Sequence, residues 1–266
     1  MISEDAILEW SEKVPWKSSA QVEQDLILQA MTLAIYADVY LQERLAFRGG
    51  TCLNKLFWET PYRYSEDLDF MQIHAEKIGP TILHLKEALR PIFNREPKWE
   101  AKKGSFRLHY AFVPNQNPGK YQQIKIEINT REHFALDGHH KKKLLLNSIW
   151  QSGEAMVTTF SLEELLATKL RALYQRKKGR DLFDLWKSQE LAPDYSKVAS
   201  MCLEYCQRTK KNLYRGHLLK NLEEKLSDPT FNSDLSPLLS PDIHYDVKGA
   251  ANFVMEKIFS FIPESK

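Results

Sequence analysis

Two neighbouring stretches, Phe47-Arg48-Gly49-Gly50-Thr51 and Arg63-Tyr64-Ser65-Glu66-Asp67-Leu68-Asp69-Phe70, decide how the fold is read. Adjacent glycines let a backbone come close to a ligand. Thr51 is of a type that caps helices, here the one begun by Cys52-Leu53-Asn54-Lys55-Leu56-Phe57. Amides at such a helix start attract phosphate oxygens. Downstream, Ser65, Asp67 and Asp69 alternate with Glu66, Leu68 and Phe70, so a strand places both aspartates on one face, roughly 7 Å apart. Two carboxylates at that distance can share a divalent cation. Asp is depleted in strands, so a pair flanking Leu68 calls for a chemical reason. Taken separately, Gly-Gly-Thr reads equally as an ordinary tight turn and Asp-Leu-Asp as a solvated edge strand. In this order, a phosphate turn, a helix and paired carboxylates on the next strand make one coherent half of an active site.

A second block is Ser161-Leu-Glu-Glu164-Leu-Leu-Ala-Thr168-Lys169-Leu-Arg171, then Arg176-Lys-Lys-Gly179-Arg180-Asp181-Leu-Phe-Asp184-Leu. Ser161 and Glu164 have capping-box spacing, and Leu162, Leu165, Leu166, Leu170 and Leu173 give a helix with an apolar stripe. Lys169 falls on the border of that stripe, where a lysine is ordinarily solvated or snorkelling. Gly179 ends this helix and Arg180 to Trp186 starts another. Asp181 either caps that helix beside Arg180 and Lys178 or serves chemistry, and Asp184 ranks below it.

Together the two blocks resemble the nucleotidyltransferase superfamily, whose members carry a Gly-Gly or Gly-Ser turn and then Asp-x-Asp. The spacer from Thr51 to Asp67 and the downstream Lys and Asp motifs are similar to those of its AbiEii branch, toxins of abortive-infection and toxin–antitoxin systems. The resemblance implies an α+β fold with a mixed sheet and flanking helices over residues 1–155. A helical lobe over 156–266 then completes the active site. It implies transfer of a nucleotide from an NTP to an acceptor hydroxyl, the 3′ end of tRNA or a protein hydroxyl, with Mg²⁺ or Mn²⁺ as cofactor and a cognate antitoxin encoded nearby. Asp67, Asp69, Lys169 and Asp181 become the catalytic candidates. Arg48, Gly49, Gly50, Thr51, Arg63, Ser65, Lys169 and Arg180 become the nucleotide-binding ones. Glu127 is the candidate third metal ligand, because Ile124, Ile126 and Ile128 alternate with Lys125, Glu127 and Asn129 along a one-faced strand. A kinase acting on protein, or an RNA-binding module with a dead transferase fold, would share these residues.

The rest is bounded by composition. With 266 residues, 43% of them hydrophobic, the chain can bury one generous core or two modest ones. Strands are expected at Leu45–Arg48, Leu68–Ile73, Arg107–Val113, Gln122–Asn129 and Met156–Phe160, with long helices at Gln21–Tyr40 and Thr81–Phe93. Cys52, Cys202 and Cys206 do not make a disulfide framework. No apolar run reaches the roughly twenty residues of a membrane span, and Met1-Ile-Ser-Glu-Asp is unlike a signal peptide, so a cytoplasmic enzyme is expected. Net charge is only +2, yet basic residues cluster at His139–Lys143, Arg176–Arg180 and Arg208–Lys211, which makes RNA a reasonable acceptor. The first of these runs is expected to be a loop over the cleft.

Overall fold

The computed structural model describes residues 2–116 and 118–264 and divides into two compact units, Met1–Phe160 and Ser161–Lys266. The first unit opens with α1 (Glu4–Ser11), α2 (Ser19–Ala37) and α3 (Val39–Arg44). The expected helix over 21–40 is in fact broken at Asp38, which turns extended and accepts the Leu41 amide to cap α3. Nor is α2 simply amphipathic. Its polar residues Glu23, Gln24, Asp25 and Gln29 are buried, and each has a partner. Asp25 accepts from Trp10 Nε1 and Lys55, while Glu23 accepts the Asn115 amide. Gln24 and Gln29 donate to the carbonyls of Glu66 and Leu145. Such bonds offset part of the desolvation cost that unpartnered groups would impose, although burial still raises the Glu23 carboxyl and, among the described residues, Gln29 Oε1 is buried without a hydrogen bond.

Next come β1 (Leu45–Arg48), α4 (Gly49–Leu56), β2 (Leu68–Gln72) and α5 (Gly79–Leu89). They are followed by β3 (Lys98–Lys102), β4 (Ser105–Phe112), β5 (Gln122–Asn129), β6 (His140–Asn147) and β7 (Ser152–Thr159). The strands form one seven-stranded sheet in the order β3-β4-β5-β2-β1-β7-β6. It is mixed, because β1–β7 and β2–β5 are parallel and the other pairs antiparallel. This is the α+β arrangement with a mixed sheet that the sequence indicates. Phe47 and Phe70, on neighbouring strands, stack with ring centroids 5.2 Å apart and help to fill the apolar face. Two expectations change here. His140–Lys143 begin the edge strand β6 and do not form a loop, and the division between units falls after β7, whereas a boundary at 155/156 would cut that strand.

The second unit is helical, with α6 (Leu162–Gln175), α7 (Gly179–Lys187), α8 (Tyr195–Arg208), α9 (Arg215–Leu226), α10 (Pro229–Ser233) and α11 (Val247–Lys257). Ser161 caps α6 by accepting the Glu164 amide, while the buried Glu164 carboxylate takes the Tyr205 hydroxyl at 2.7 Å. Gly179 does not end α6. It opens α7, at a point where a Cβ would strike the Phe231 carbonyl oxygen, so close backbone approach selects glycine there.

Candidate active site

In the first unit the chain leaves β1 at Arg48 in extended conformation, turns at Gly49 with φ +82°, and enters α4 at once. That φ favours glycine, and the space does so too: a Cβ at Gly49 would collide with the Asp69 carboxylate, and one at Gly50 with the Arg63 guanidinium. Thr51 is buried inside the first turn of α4 and is not its cap. Its Oγ1 lies 2.5 Å from the Asp67 carbonyl and 2.8 Å from Ser65 Oγ, so it staples the turn to the approach of β2. Arg63, at 1% exposure, is likewise beneath the turn. Asn54 donates to the Arg63 carbonyl at 2.8 Å, and Nη1 of Arg63 donates to the Tyr64 carbonyl at 3.2 Å. Arg63, Ser65 and Thr51 therefore shape the turn from behind it.

Sheet register builds the opposite wall. Arg48 of β1 stands opposite Asp69 of β2, Asp69 beside Glu127 of β5, Glu127 opposite Arg107 of β4, and Arg107 opposite Glu100 of β3. Paired residues share a face of the pleat, so five charged side chains run in one row across the sheet. Asp67 lies just before β2 and its side chain is 38% exposed. Lys125, two residues before Glu127 on the same face, places Nζ 3.0 Å from Asp67 Oδ2 and 3.2 Å from Glu127 Oε2. Arg107 Nη2 is 2.8 Å from the other Glu127 oxygen. Burial alone would raise the Glu127 carboxyl, but the bonds from Arg107 and Lys125 outweigh it and hold it below its ordinary range. Burial likewise pulls Lys125 down, yet Asp67, Asp69 and Glu127 carry it above its ordinary value. Arg48 pairs with Glu132 at 3.6 Å.

Both oxygens of Glu127 are engaged by cations, as Asp67 Oδ2 is by Lys125. Among the described residues no group of three or more His, Cys, Asp or Glu is arranged to hold a metal. Asp67 and Asp69 are carboxylates of the kind that suits a hard divalent cation, and Asp69 Oδ2 lies against the turn at Gly49. Mg²⁺ is ordinarily held by one or two carboxylates, with phosphates and water completing the shell.

In the second unit Lys169 is not at the border of a stripe but 5% exposed. Its ammonium lies 2.8 Å from Asp184 Oδ2 and 3.5 Å from Asp181 Oδ1, both carboxylates being fully buried. Arg176 grips Asp181 with two bonds of 2.6 and 2.8 Å. Asp184, ranked below Asp181 from sequence, makes the closer contact with Lys169. Lys225, buried on α9, donates to the Leu173 and Tyr174 carbonyls at the end of α6. Lys177 and Lys178 pair with Asp228 and Asp234, so most of the Arg176–Arg180 run is neutralised within the unit. The sequence does not single out Arg107, and it shows Arg176 only as part of a basic run, with no sign of its bonds to Asp181. The alternation around Glu127 placed Lys125 on the right face, but nothing in the sequence says which carboxylate it meets.

A family model described as nucleotidyl transferase AbiEii toxin, type IV toxin–antitoxin system, matches residues 33–252. The chain belongs to this family. By that membership it is a nucleotidyltransferase, of a group whose toxins are paired with antitoxins. Among solved structures it is similar to the MenT4 nucleotidyltransferase toxin of Mycobacterium tuberculosis, with 16% identity, TM-score 0.66, and coverage of 98% of this chain and 89% of that one. It is also similar to JHP933 of Helicobacter pylori, with 18% identity, TM-score 0.56 and coverage of 92% of each chain. At such identities the likeness concerns the fold. A curated relative, ERI1 exoribonuclease 2 of Mus musculus, is 31% identical over 96 residues, which span 36% of this chain and only 14% of that protein.

Proposed function

We propose that this AbiEii-family protein transfers a nucleotide from an NTP to an acceptor hydroxyl at the 3′ end of tRNA, using Mg²⁺ or Mn²⁺. The observation that carries this reading is the Asp69 carboxylate lodged against the positive-φ Gly49 at the start of α4, which sets a metal ligand beside amides suited to phosphate. Gly49, Gly50 and the Thr51 amide hold the β- and γ-phosphates, while the Thr51 hydroxyl, Arg63 and Ser65 keep that turn in shape. Asp67 and Asp69 would hold the metal. When bound it favours loss of the acceptor hydroxyl's proton and offsets charge on the leaving pyrophosphate. Arg48 adds positive charge on the Asp69 face. Lys169 and Asp181, with Arg180 beside them, are assigned the roles of the family's downstream Lys and Asp motifs.

A cognate antitoxin and a cytoplasmic setting belong to the same proposal. Among the described residues no helix is long and apolar enough to cross a membrane. Incubation with each labelled NTP, against purified tRNA and against lysate protein, tests the acceptor. Label on tRNA that is abolished by Asp67→Asn supports the reading. Label on protein alone would replace tRNA by a protein hydroxyl.

A further inference from the structure

Lys125 stands between two of the carboxylates that matter most. Its ammonium is within 3.0 Å of Asp67 and 3.2 Å of Glu127, while Arg107 takes the far oxygen of Glu127 at 2.8 Å. Lys125 and Glu127 are half-buried, with side chains 27% and 25% exposed, so these contacts are screened less than surface pairs. A cation approaching Asp67 alone must therefore displace an ammonium already in contact with that carboxylate. Glu127, gripped from both sides, anchors the ammonium and is not left over as a metal ligand. The choice of lysine matters as well. Its compact charge on a flexible stem can swing aside, whereas an arginine would grip Asp67 bidentately.

We propose that Lys125 is a resident counter-ion, anchored by Glu127, that keeps a lone divalent cation off Asp67 and yields this carboxylate only in the presence of the triphosphate. The proposal rests on Asp67 and Asp69 being the metal ligands. Energetically, the triphosphate brings several negative charges to the Gly49–Gly50 turn, enough to favour a divalent cation over a single ammonium at the adjacent carboxylate. Metal and nucleotide then load together. Lys125 is thereby a positioning residue, acting through Asp67.

Mn²⁺ binding to the full-length protein, followed by electron paramagnetic resonance with and without each α,β-methylene NTP, reads this without turnover. Lys125→Met should bind Mn²⁺ alone roughly tenfold or more tighter than wild type, the effect of removing one adjacent positive charge. Lys125→Arg should bind it no tighter than wild type, and the NTP analogue should tighten Mn²⁺ much more in wild type than in Lys125→Met. Thermal melts verify folding, and Lys125→Gln replaces Lys125→Met if the latter does not fold. If Lys125→Met binds free Mn²⁺ like wild type, while wild type with analogue still binds it in an Asp67-dependent way, the counter-ion role is overturned and the metal site stands. If Asp67→Asn and Asp69→Asn leave Mn²⁺ binding with analogue unchanged, the metal assignment fails and takes the Lys125 proposal with it.

Discussion

Asp69 Oδ2 occupies the position that a β-carbon on residue 49 would need, so the carboxylate and the Gly49 turn cannot change independently. Gly49→Ala should therefore fail twice, through its φ of +82° and through the collision with Asp69. A stability loss of about 1–3 kcal/mol is expected from the strain, together with loss of NTP binding. Gly138→Ala is the control, since Gly138 has φ +72° but open space around it. Urea melts and titration with a fluorescent NTP distinguish them. Wild-type NTP binding by Gly49→Ala would show that the turn does not cradle the nucleotide.

The two aspartates should separate stability from chemistry. Asp67 is partly exposed, so Asp67→Asn should fold normally, and so should Asp69→Asn. Each should lower transfer by roughly a hundredfold or more, as expected where electrostatic stabilisation carries the rate. Near wild-type transfer by either variant, measured with labelled NTP, would remove that residue from the metal site.

Much of this site could be read from the chain because its parts are local in sequence. Gly-Gly at a strand end, Asp-x-Asp at the start of the next strand and the alternation around Glu127 each follow from a period of two or a turn preference, although Asp67 itself falls just before β2. What escaped depends on register between strands distant in sequence. Lys125 meets Asp67, and Arg107 meets Glu127, only because β5 lies parallel to β2 and antiparallel to β4. The same limit applies to the basic runs. Charge clustering was plain, but pairing of Lys177 and Lys178 with Asp228 and Asp234 depends on tertiary structure that joins residues about fifty positions apart in the chain. Lys169 was misplaced at a stripe border because two buried carboxylates, invisible to hydropathy, draw it inward.

Lys169→Met should cost stability, about 3–5 kcal/mol, since it leaves Asp181 and Asp184 buried with one cation fewer. Leu166→Ala, in the apolar core of α6, should cost about 2–5 kcal/mol as a cavity and spare specific activity. The double variant Lys169→Met/Asp184→Asn separates the roles of the lysine. It should recover stability without recovering transfer. Recovery of both, by melting temperature and labelled-NTP assay, would make Lys169 structural only.

Lys225 gives a pH signature to the second unit. Burial pulls it down to about 8, against the opposing pull of Asp181. An unfolded lysine titrates near about 10.4, so between these values the unfolded chain binds more protons and stability rises with pH. Urea midpoints measured at about pH 7.5 and about 9.5 should show this rise in wild type and lose it in Lys225→Met. An identical pH dependence in both proteins would show that Lys225 keeps its ordinary affinity for the proton.

The acceptor is tested on β6. Because Arg176, Lys177 and Lys178 are held by acids of their own unit, Lys141, Lys142 and Lys143 are the better candidates for binding RNA phosphates. They lie on the edge strand of the sheet. Lys142 rests 3.9 Å from the centre of the Phe57 ring, and Lys143 pairs with Glu154 at 2.6 Å, but both members of that pair are about 60% exposed and such bridges contribute little. Replacing all three by Gln should weaken tRNA binding and flatten its dependence on salt by about 0.7 in log–log slope for each RNA phosphate that is no longer neutralised. NTP affinity should be unchanged, because Lys142 packs on Phe57 at the far end of α4 and Lys143 pairs with Glu154 on β7, neither of which belongs to the Gly49–Thr51 turn proposed to hold the nucleotide's phosphates. Transfer to a radiolabelled tRNA pool across a salt series, with NTP affinity measured in parallel, checks both halves. An unchanged slope with unchanged transfer would take β6 off the RNA path and move the acceptor toward a protein hydroxyl, where no long polyanion has to be held.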